Sequence, residues 1–254
     1  AMLPAHRIPP EVTSACRRLQ EAGYAAYVVG GAVRDLLRCP DDDTAKDFDL
    51  TTSATPDQVI AIFGHRKVIP TGITHGTVTV LCDREGGKPH PIEITTFRGE
   101  VGFTDGRRPD RIEFSTDLVE DLRRRDFTVN AIAWDPVQQR LVDPFDGQGD
   151  LGRRLIRAVG DPVARFAEDG LRVMRAVRFS AQLGFVIETN TRAAFAGALS
   201  TLRKVSRERI RDELLKLLAS PSPSEGLRLM LLRSADDDSL DWGPEGNMLQ
   251  VVLP

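Results

Sequence analysis

Only three cysteines stand in the 254 residues, an odd number without metal-ligand spacing. A small disulfide-stapled fold is excluded, and Cys16, Cys39 and Cys82 are expected as reduced thiols, buried or incidental. Long hydrophobic runs are also missing, and none approaches the length that spans a bilayer, so no membrane partner is expected. Residues Ala1 to Pro10 lack the basic flank and apolar stretch of a secretory signal, which makes the cytoplasm the expected compartment. Neither G-x-x-x-x-G-K-[ST] nor G-x-G-x-x-G occurs, and no internal repeat is visible. A strong charge of one sign is absent too: the formal net charge is -3, which taken whole argues against a nucleic-acid partner.

What is present changes that last inference. The composition, 41% hydrophobic and 28% charged, is that of a globular chain with room for one large domain or two modest ones. Its charge is uneven. Leu151 to Lys216 holds 14 Lys+Arg against 7 Asp+Glu, a net of +7 that leaves -10 for the remainder. Arg233 to Pro254 has one Arg against five acids. A basic segment lies beside acidic ones, and the average hides it.

Helical spacing over Pro9–Glu21 is followed by a short apolar run, Tyr24–Val29, and by Gly30-Gly31, which predicts helix, buried strand and glycine turn. Ala32–Arg38 is the next expected helix, and Asp47–Thr52 a strand after the acidic loop Cys39–Lys46. Thr77–Cys82 and Pro91–Phe97 alternate β-branched residues around Gly86-Gly87, the pattern of a hairpin. Arg98–Asp117 lacks periodicity and is expected as a mobile loop. Asn130–Trp134 and Arg140–Val142 are a further expected strand pair. Beyond Asp150 the strand signal stops, and Asp161–Leu183, Thr189–Leu199 and Ser206–Leu218 are expected helices, the last closed by Pro221 and Pro223. The expected organisation is an α/β domain over residues 1–150, a helical domain over 151–232 and a poorly ordered acidic tail over 233–254.

Asp47 and Asp49 are two apart, and strand periodicity puts both carboxylates on one face. Such a pair suits hard, octahedral Mg²⁺, although Asp-x-Asp is also common on solvated surfaces. Gly30-Gly31 follows a strand and opens a helix, where backbone N–H groups can approach phosphate oxygens; a plain tight turn has the same look. Arg34, one turn in, can add a charge-assisted contact. A phosphate cradle with a carboxylate pair points to nucleotidyl or phosphoryl transfer.

Gly30-Gly31-Ala32-Val33-Arg34-Asp35-Leu36-Leu37 followed by Asp47-Phe48-Asp49-Leu50 resembles the first motif of the class II tRNA nucleotidyltransferase and bacterial poly(A) polymerase superfamily. Three later segments agree in order. Arg124-Arg125-Asp126-Phe127-Thr128-Val129-Asn130-Ala131 resembles the ribose-selecting motif, and Glu168-Asp169-Gly170-Leu171-Arg172 the base-reading E-D-x-x-R. Arg207-Glu208-Arg209-Ile210-Arg211-Asp212-Glu213-Leu214 resembles the helix-stabilising motif near the end of the neck. Val68–Val78, with His75, looks like the segment typical of members that add CCA. Alone, His75 reads as structural.

The resemblance implies an α/β, polymerase-β-like nucleotidyltransferase head with a mixed sheet and helices, followed by an all-α neck. It implies a Mg²⁺-dependent enzyme that adds C, C and A to tRNA 3′ ends from CTP and ATP without a nucleic-acid template. The alternatives are an A-adding enzyme or poly(A) polymerase of the same superfamily and, from another class, a non-catalytic RNA- or nucleotide-binding remnant. By the two-metal scheme Asp47 and Asp49 are the metal ligands. Glu93 is a candidate third carboxylate, with an outward-facing strand residue as the plainer reading. Arg125 and Asp126 are expected at the sugar and phosphates, where an Asp can accept from the 2′-hydroxyl. At 100° per residue Asp169, Arg172 and Arg175 follow one another down one side of a continuous helix. A carboxylate beside a guanidinium complements the amino group and ring nitrogen that cytosine and adenine share. A surface ion pair at that spacing is the plainer alternative. Arg175 and Arg178 extend the row, and the resemblance implies that they too contact the nucleotide. The family pattern differs in two places. Asp41-Asp42-Asp43-Thr44 is longer than expected, and body and tail domains that grip the tRNA elbow are expected where this sequence turns acidic and aperiodic around Asp236-Asp237-Asp238. Oligomeric state is not legible.

Overall fold

Pro10 opens the first helix, α1 (Pro10–Glu21), and the helical spacing of Val12, Ala15, Cys16 and Leu19 gives it one fully buried stripe. The chain continues through β1 (Ala26–Val29), α2 (Gly31–Arg38), β2 (Asp49–Thr52), α3 (Pro56–Phe63), β3 (Val68–Gly72), β4 (Thr77–Cys82), β5 (His90–Thr96), α4 (Leu118–Arg123), β6 (Ala133–Asp135), β7 (Arg140–Val142) and α5 (Gly147–Arg153). The computed structural model describes residues 3–39, 47–99, 113–231 and 246–253. The acidic stretch 40–46 and most of the expected loop, 100–112, lie outside the described residues. The loop's flanks are fixed: Gly99 N donates to Glu113 O and Ser115 N to Phe97 O, so Arg98 and Phe114 pair as an antiparallel bridge.

Among the described residues the strands form a seven-stranded mixed sheet in the order β3-β4-β5-β2-β1-β6-β7. β2 and β5 are parallel and the other neighbours antiparallel. Strand alternation sorts the side chains: Val78, Val80, Ile92, Ile94 and Leu50 are buried, whereas Asp49 and Glu93 are exposed. Helices α1 and α3 pack on β4, and α1 and α2 on β1.

The helical part contains β8 (Leu155–Ile156), α6 (Pro162–Glu168), α7 (Leu171–Leu183), β9 (Val186–Ile187), α8 (Thr189–Ala193), α9 (Phe195–Leu202), α10 (Arg207–Leu218), α11 (Pro223–Leu231) and α12 (Met248–Val252). Helix α7 packs on α9, α10 and α11, and Phe166 meets Phe195 edge-on with ring centroids 5.7 Å apart. The chain divides into two compact units, one of Ala1–Arg125 with Val129–Gln148, the other of Asp126–Thr128 with Gly149–Pro254. Asp126–Thr128 thus fold with the helical unit, where Thr128 Oγ1 donates to the buried Asp150 at 2.6 Å.

Several expected elements are corrected. The helix expected over Asp161–Leu183 breaks at Asp169, whose backbone is extended (φ -151°, ψ 104°). The break lets Gly170 approach the end of α9, where an added Cβ would lie 2.5 Å from the Thr201 carbonyl carbon. The helix expected over Thr189–Leu199 is two, α8 and α9. Strand signal does not stop at Asp150: β8 and β9 form a parallel pair, too short to show alternation. Pro223 opens α11 rather than closing a helix. Residues 232–245 lie outside the described residues. Met248–Val252 is helical rather than aperiodic, because Met248, Val251 and Val252 find a buried surface against α9 and α11.

Candidate functional site

In the α/β unit the register Val29↔Asp49 brings the end of β1 against the start of β2, so the Gly30-Gly31 turn leaves the sheet beside Asp49. Gly30 has φ +76° and ψ -139°, a conformation that L side chains rarely adopt. The parallel register Leu50↔Ile94 makes Glu93 the neighbour of Asp49 across β5. Although the Asp49 residue reaches solvent, the protein packed around its carboxyl desolvates it, and with Glu93 and Asp47 beside it the group is pushed up to about 6, against the pull of the Arg125 guanidinium. Asp47 precedes β2 and is exposed. Arg125 follows α4, and its Nη1 lies 3.4 Å from where a Gly30 Cβ would stand. Asp47, Asp49, Glu93, Gly30, Gly31 and Arg125 therefore belong to one neighbourhood at one end of the sheet.

Arg34 differs from its expectation. Its guanidinium is buried beside Gly31, donating from Nε and Nη2 to the two Asp35 oxygens and from Nη1 to Asn130 Oδ1, each at 2.9 Å. It braces the first turn of α2, its charge paired with Asp35. Asp121 is a member that motif reading missed. It lies buried on α4 among Thr51, Arg98 and Arg125, and no local pattern in sequence marks it.

In the helical unit the expected row of charges is rearranged. Because Asp169 is extended, it does not share a helix face with Arg172. Its Oδ1 accepts from Leu171 N at 3.1 Å and its Oδ2 from Arg209 Nη2 at 2.7 Å, so Arg209 joins the site from α10. Arg172 Nη1 donates to Glu168 Oε2 at 2.6 Å and to Arg165 O at 2.8 Å. Asp169 and Arg172 thus form no ion pair with each other among the described residues; each is held by a different partner. Arg175 donates to Asp126 Oδ2 from Nε at 2.8 Å and Nη2 at 2.6 Å, and the Asp126 charge raises its pKa. Arg178 is buried, donates to Glu213 at 2.5 Å and Gln182 at 2.8 Å, and lies 3.9 Å above the Phe179 ring. Burial lowers its pKa and Glu213 opposes that shift. Arg178 thus also serves packing within the unit, its Nε and Nη1 donating to Glu213 and Gln182 and its cationic face covering Phe179. Arg175 is likewise committed to Asp126.

The family model described as "Poly A polymerase head domain" matches residues 26–157, and that described as "Probable RNA and SrmB- binding site of polymerase A" matches 184–232. The chain belongs to the poly A polymerase head-domain family. Relatives agree. A "CCA-adding enzyme" of Lactobacillus delbrueckii subsp. bulgaricus is 52% identical over 235 residues, 92% of this chain and 57% of the relative. One of Lactobacillus helveticus is 47% identical over 233 residues, 92% of this chain and 56% of the relative. The solved "Bacillus stearothermophilus CCA-adding enzyme in complex with CTP" superposes with a TM-score of 0.76 at 42% identity, covering 87% of this chain and 51% of that one. A Thermotoga maritima CCA-adding enzyme complexed with tRNA gives 0.71 at 27%, covering 90% and 52%. The chain spans about half the length of the curated relatives it matches. Membership confirms the superfamily resemblance and the mixed-sheet head with helices after it.

Among the described residues no three His, Cys, Asp or Glu converge into a closed metal cage. An open set is nevertheless what Mg²⁺ uses, one or two carboxylates completed by water and substrate phosphates. Asp47 and Asp49 supply hard oxygen donors, and Glu93 and Asp47 beside Asp49 set like charges together that a dication would offset. Among the described residues no helix is long and apolar enough to cross a membrane.

Proposed function

We propose that this chain is a Mg²⁺-dependent tRNA nucleotidyltransferase that adds C, C and A to tRNA 3′ ends from CTP and ATP without a template, acting in the cytoplasm. The observation that carries the reading is the convergence on one sheet end of Asp49, its strand neighbour Glu93, the Gly30 turn and Arg125. The names of the two curated relatives, both CCA-adding enzymes at about half identity, support the choice of reaction.

In this reading the Gly30-Gly31 amides and Arg125 receive the triphosphate, since backbone N–H groups at a helix start and a guanidinium both suit phosphate oxygens. Asp47 and Asp49 hold Mg²⁺, with Glu93 beside them. An ion held there would neutralise triphosphate charge and make the 3′-hydroxyl more acidic. The RNA 3′-hydroxyl gives up its proton to solvent, its oxygen bonds to the α-phosphorus, the α–β anhydride breaks and pyrophosphate leaves. Asp126, whose Oδ2 accepts from both Nε and Nη2 of Arg175, is the ribose-side carboxylate. Base choice falls to Asp169 and Arg172. The carboxylate accepts from the exocyclic amino group of cytosine or adenine, and the guanidinium, fixed by Glu168 and the Arg165 carbonyl, donates to the ring nitrogen. Uracil and guanine would set a carbonyl against the carboxylate.

Incubating the purified chain with tRNA lacking its terminal CCA, Mg²⁺ and each labelled nucleotide tests this. C and A are expected to be incorporated and U and G not, with Asp49→Asn inactive but folded by circular dichroism. Long A tails on unrelated RNA would make the chain a poly(A) polymerase. Nucleotide binding without extension at any Mg²⁺ concentration would make it a binding module.

A further inference from the structure

We propose that Asp121 is a positioning residue that fixes Arg125 beside the glycine turn, an inference that rests on Arg125 as a phosphate contact. Asp121 is 8% exposed on α4. Its Oδ2 accepts from Thr51 Oγ1 at 3.0 Å and lies 3.5 Å from Arg125 Nη2, and its Oδ1 accepts from Arg98 N at 3.2 Å. Thr51 stands two residues after Asp49 on β2, hence on the same sheet face. Arg98 closely follows β5, the strand of Glu93. One buried carboxylate thus joins both acid-bearing strands to the guanidinium expected at the phosphates.

The two ends of that guanidinium are differently engaged. Nη2 is turned to Asp121, and Nη1 lies against the Gly30 turn, 3.4 Å from the Cβ position. Nε is buried with no hydrogen-bond partner among the described residues. Asp121 is therefore the anchor that gives Arg125 a single direction. A buried charge stripped of its partner is costly, so each side chain holds the other in place. Hydroxyl donation from Thr51 and the amide of Arg98 fix the carboxylate itself, so the anchor is tied to the strands rather than to α4 alone. Charge placed for a transferring phosphoryl group acts through such preorganisation, and misplacement by about 1 Å can cost up to about 100-fold in rate.

The test is a double-mutant cycle on Asp121→Asn and Arg125→Ala, read as kcat and KM for CTP and as CTP affinity at equilibrium. Asp121→Asn loses the charge facing Arg125 and keeps a single oxygen acceptor, so one of the two hydrogen bonds, from Thr51 Oγ1 or from the Arg98 amide, goes with the charge. It is expected to lower kcat/KM by about 10- to 100-fold. In the Arg125→Ala background it should change nothing beyond twofold. Thr51→Val, which removes only the hydroxyl, should give a smaller loss that also vanishes without Arg125, and urea midpoints identify any variant that fails to fold. Additive losses in the cycle would overturn the proposal and leave Asp121 a fold residue. If the wild-type chain binds CTP but never extends RNA, the proposed reaction fails while the binding cycle still decides the coupling. An Arg125→Ala variant with wild-type binding and rates would overturn both the phosphate contact and the positioning role.

Discussion

Arg178 donates from Nε to Glu213 Oε2 at 2.5 Å, joining α7 to α10, with both side chains under 10% exposed and the guanidinium stacked on Phe179. A pair so enclosed punishes loss of either member, since the survivor keeps a buried charge. Arg178→Ala or Glu213→Ala is expected to cost about 3–5 kcal/mol, and Arg178→Met with Glu213→Leu to recover much of it. Urea unfolding of the three variants checks this. A near-neutral single variant would show that the pair does not support the helical unit.

Gly170→Ala is expected to destabilise although the residue opens a helix, where alanine is favoured by about 1 kcal/mol. The added Cβ would lie 2.6 Å from Leu202 Cα and 2.5 Å from the Thr201 carbonyl carbon, and backbone cannot yield as a flexible side chain does. Overpacking of this kind typically costs about 1–3 kcal/mol. The thermal midpoint of the variant should fall, and a rise would contradict the close approach of α7 and α9.

Arg172→Ala and Arg209→Ala separate specificity from stability. Arg209 is half-exposed and its ion pair with Asp169 should contribute no more than about 1 kcal/mol. Arg172 is the expected base donor, so its loss should raise U and G incorporation relative to C and A while Mg²⁺ affinity holds. Single-nucleotide incorporation assays on both variants measure the ratio. Unchanged discrimination in Arg172→Ala would remove it from base reading.

Glu188 carries a pH-dependent share of stability. Burial pushes its carboxyl up, but hydrogen bonds from the Thr191 amide and hydroxyl and from the Asn190 amide, with the Arg157 charge, outweigh it and hold the group below its ordinary value. The folded value is thus below the unfolded one. Its contribution is complete above the ordinary glutamate range and disappears as pH falls through the depressed folded value. The stability gap between wild type and Glu188→Gln should be full at neutral pH and close in acid. A gap that widens in acid would reverse the assignment.

How much of this was legible in sequence depends on the range of the interaction. The hairpin β4–β5, the helices α1, α2 and α10, and the glycine turn beside Asp49 follow from alternation, helical spacing and missing side chains. The break at Asp169 was not legible, because the helical period runs through it and the close approach of Gly170 to Leu202 that accompanies it joins residues far apart in the chain. Helix α12 was hidden for a similar reason: five residues carry no periodicity, and burial against α9 and α11 makes them helical.

The sequence by itself determined the superfamily and the mixed-sheet head with helices after it, since motifs and periods are properties of neighbours along the chain. Only the tertiary structure decided how the charges pair: Asp169 with Arg209, Arg172 with Glu168, Arg175 with Asp126, Arg178 with Glu213. Coulomb attraction names no partner, and several opposite charges lie within reach along the chain. Which pair forms is set by the breaks and crossings of packed helices, where desolvation rewards the partner that also packs.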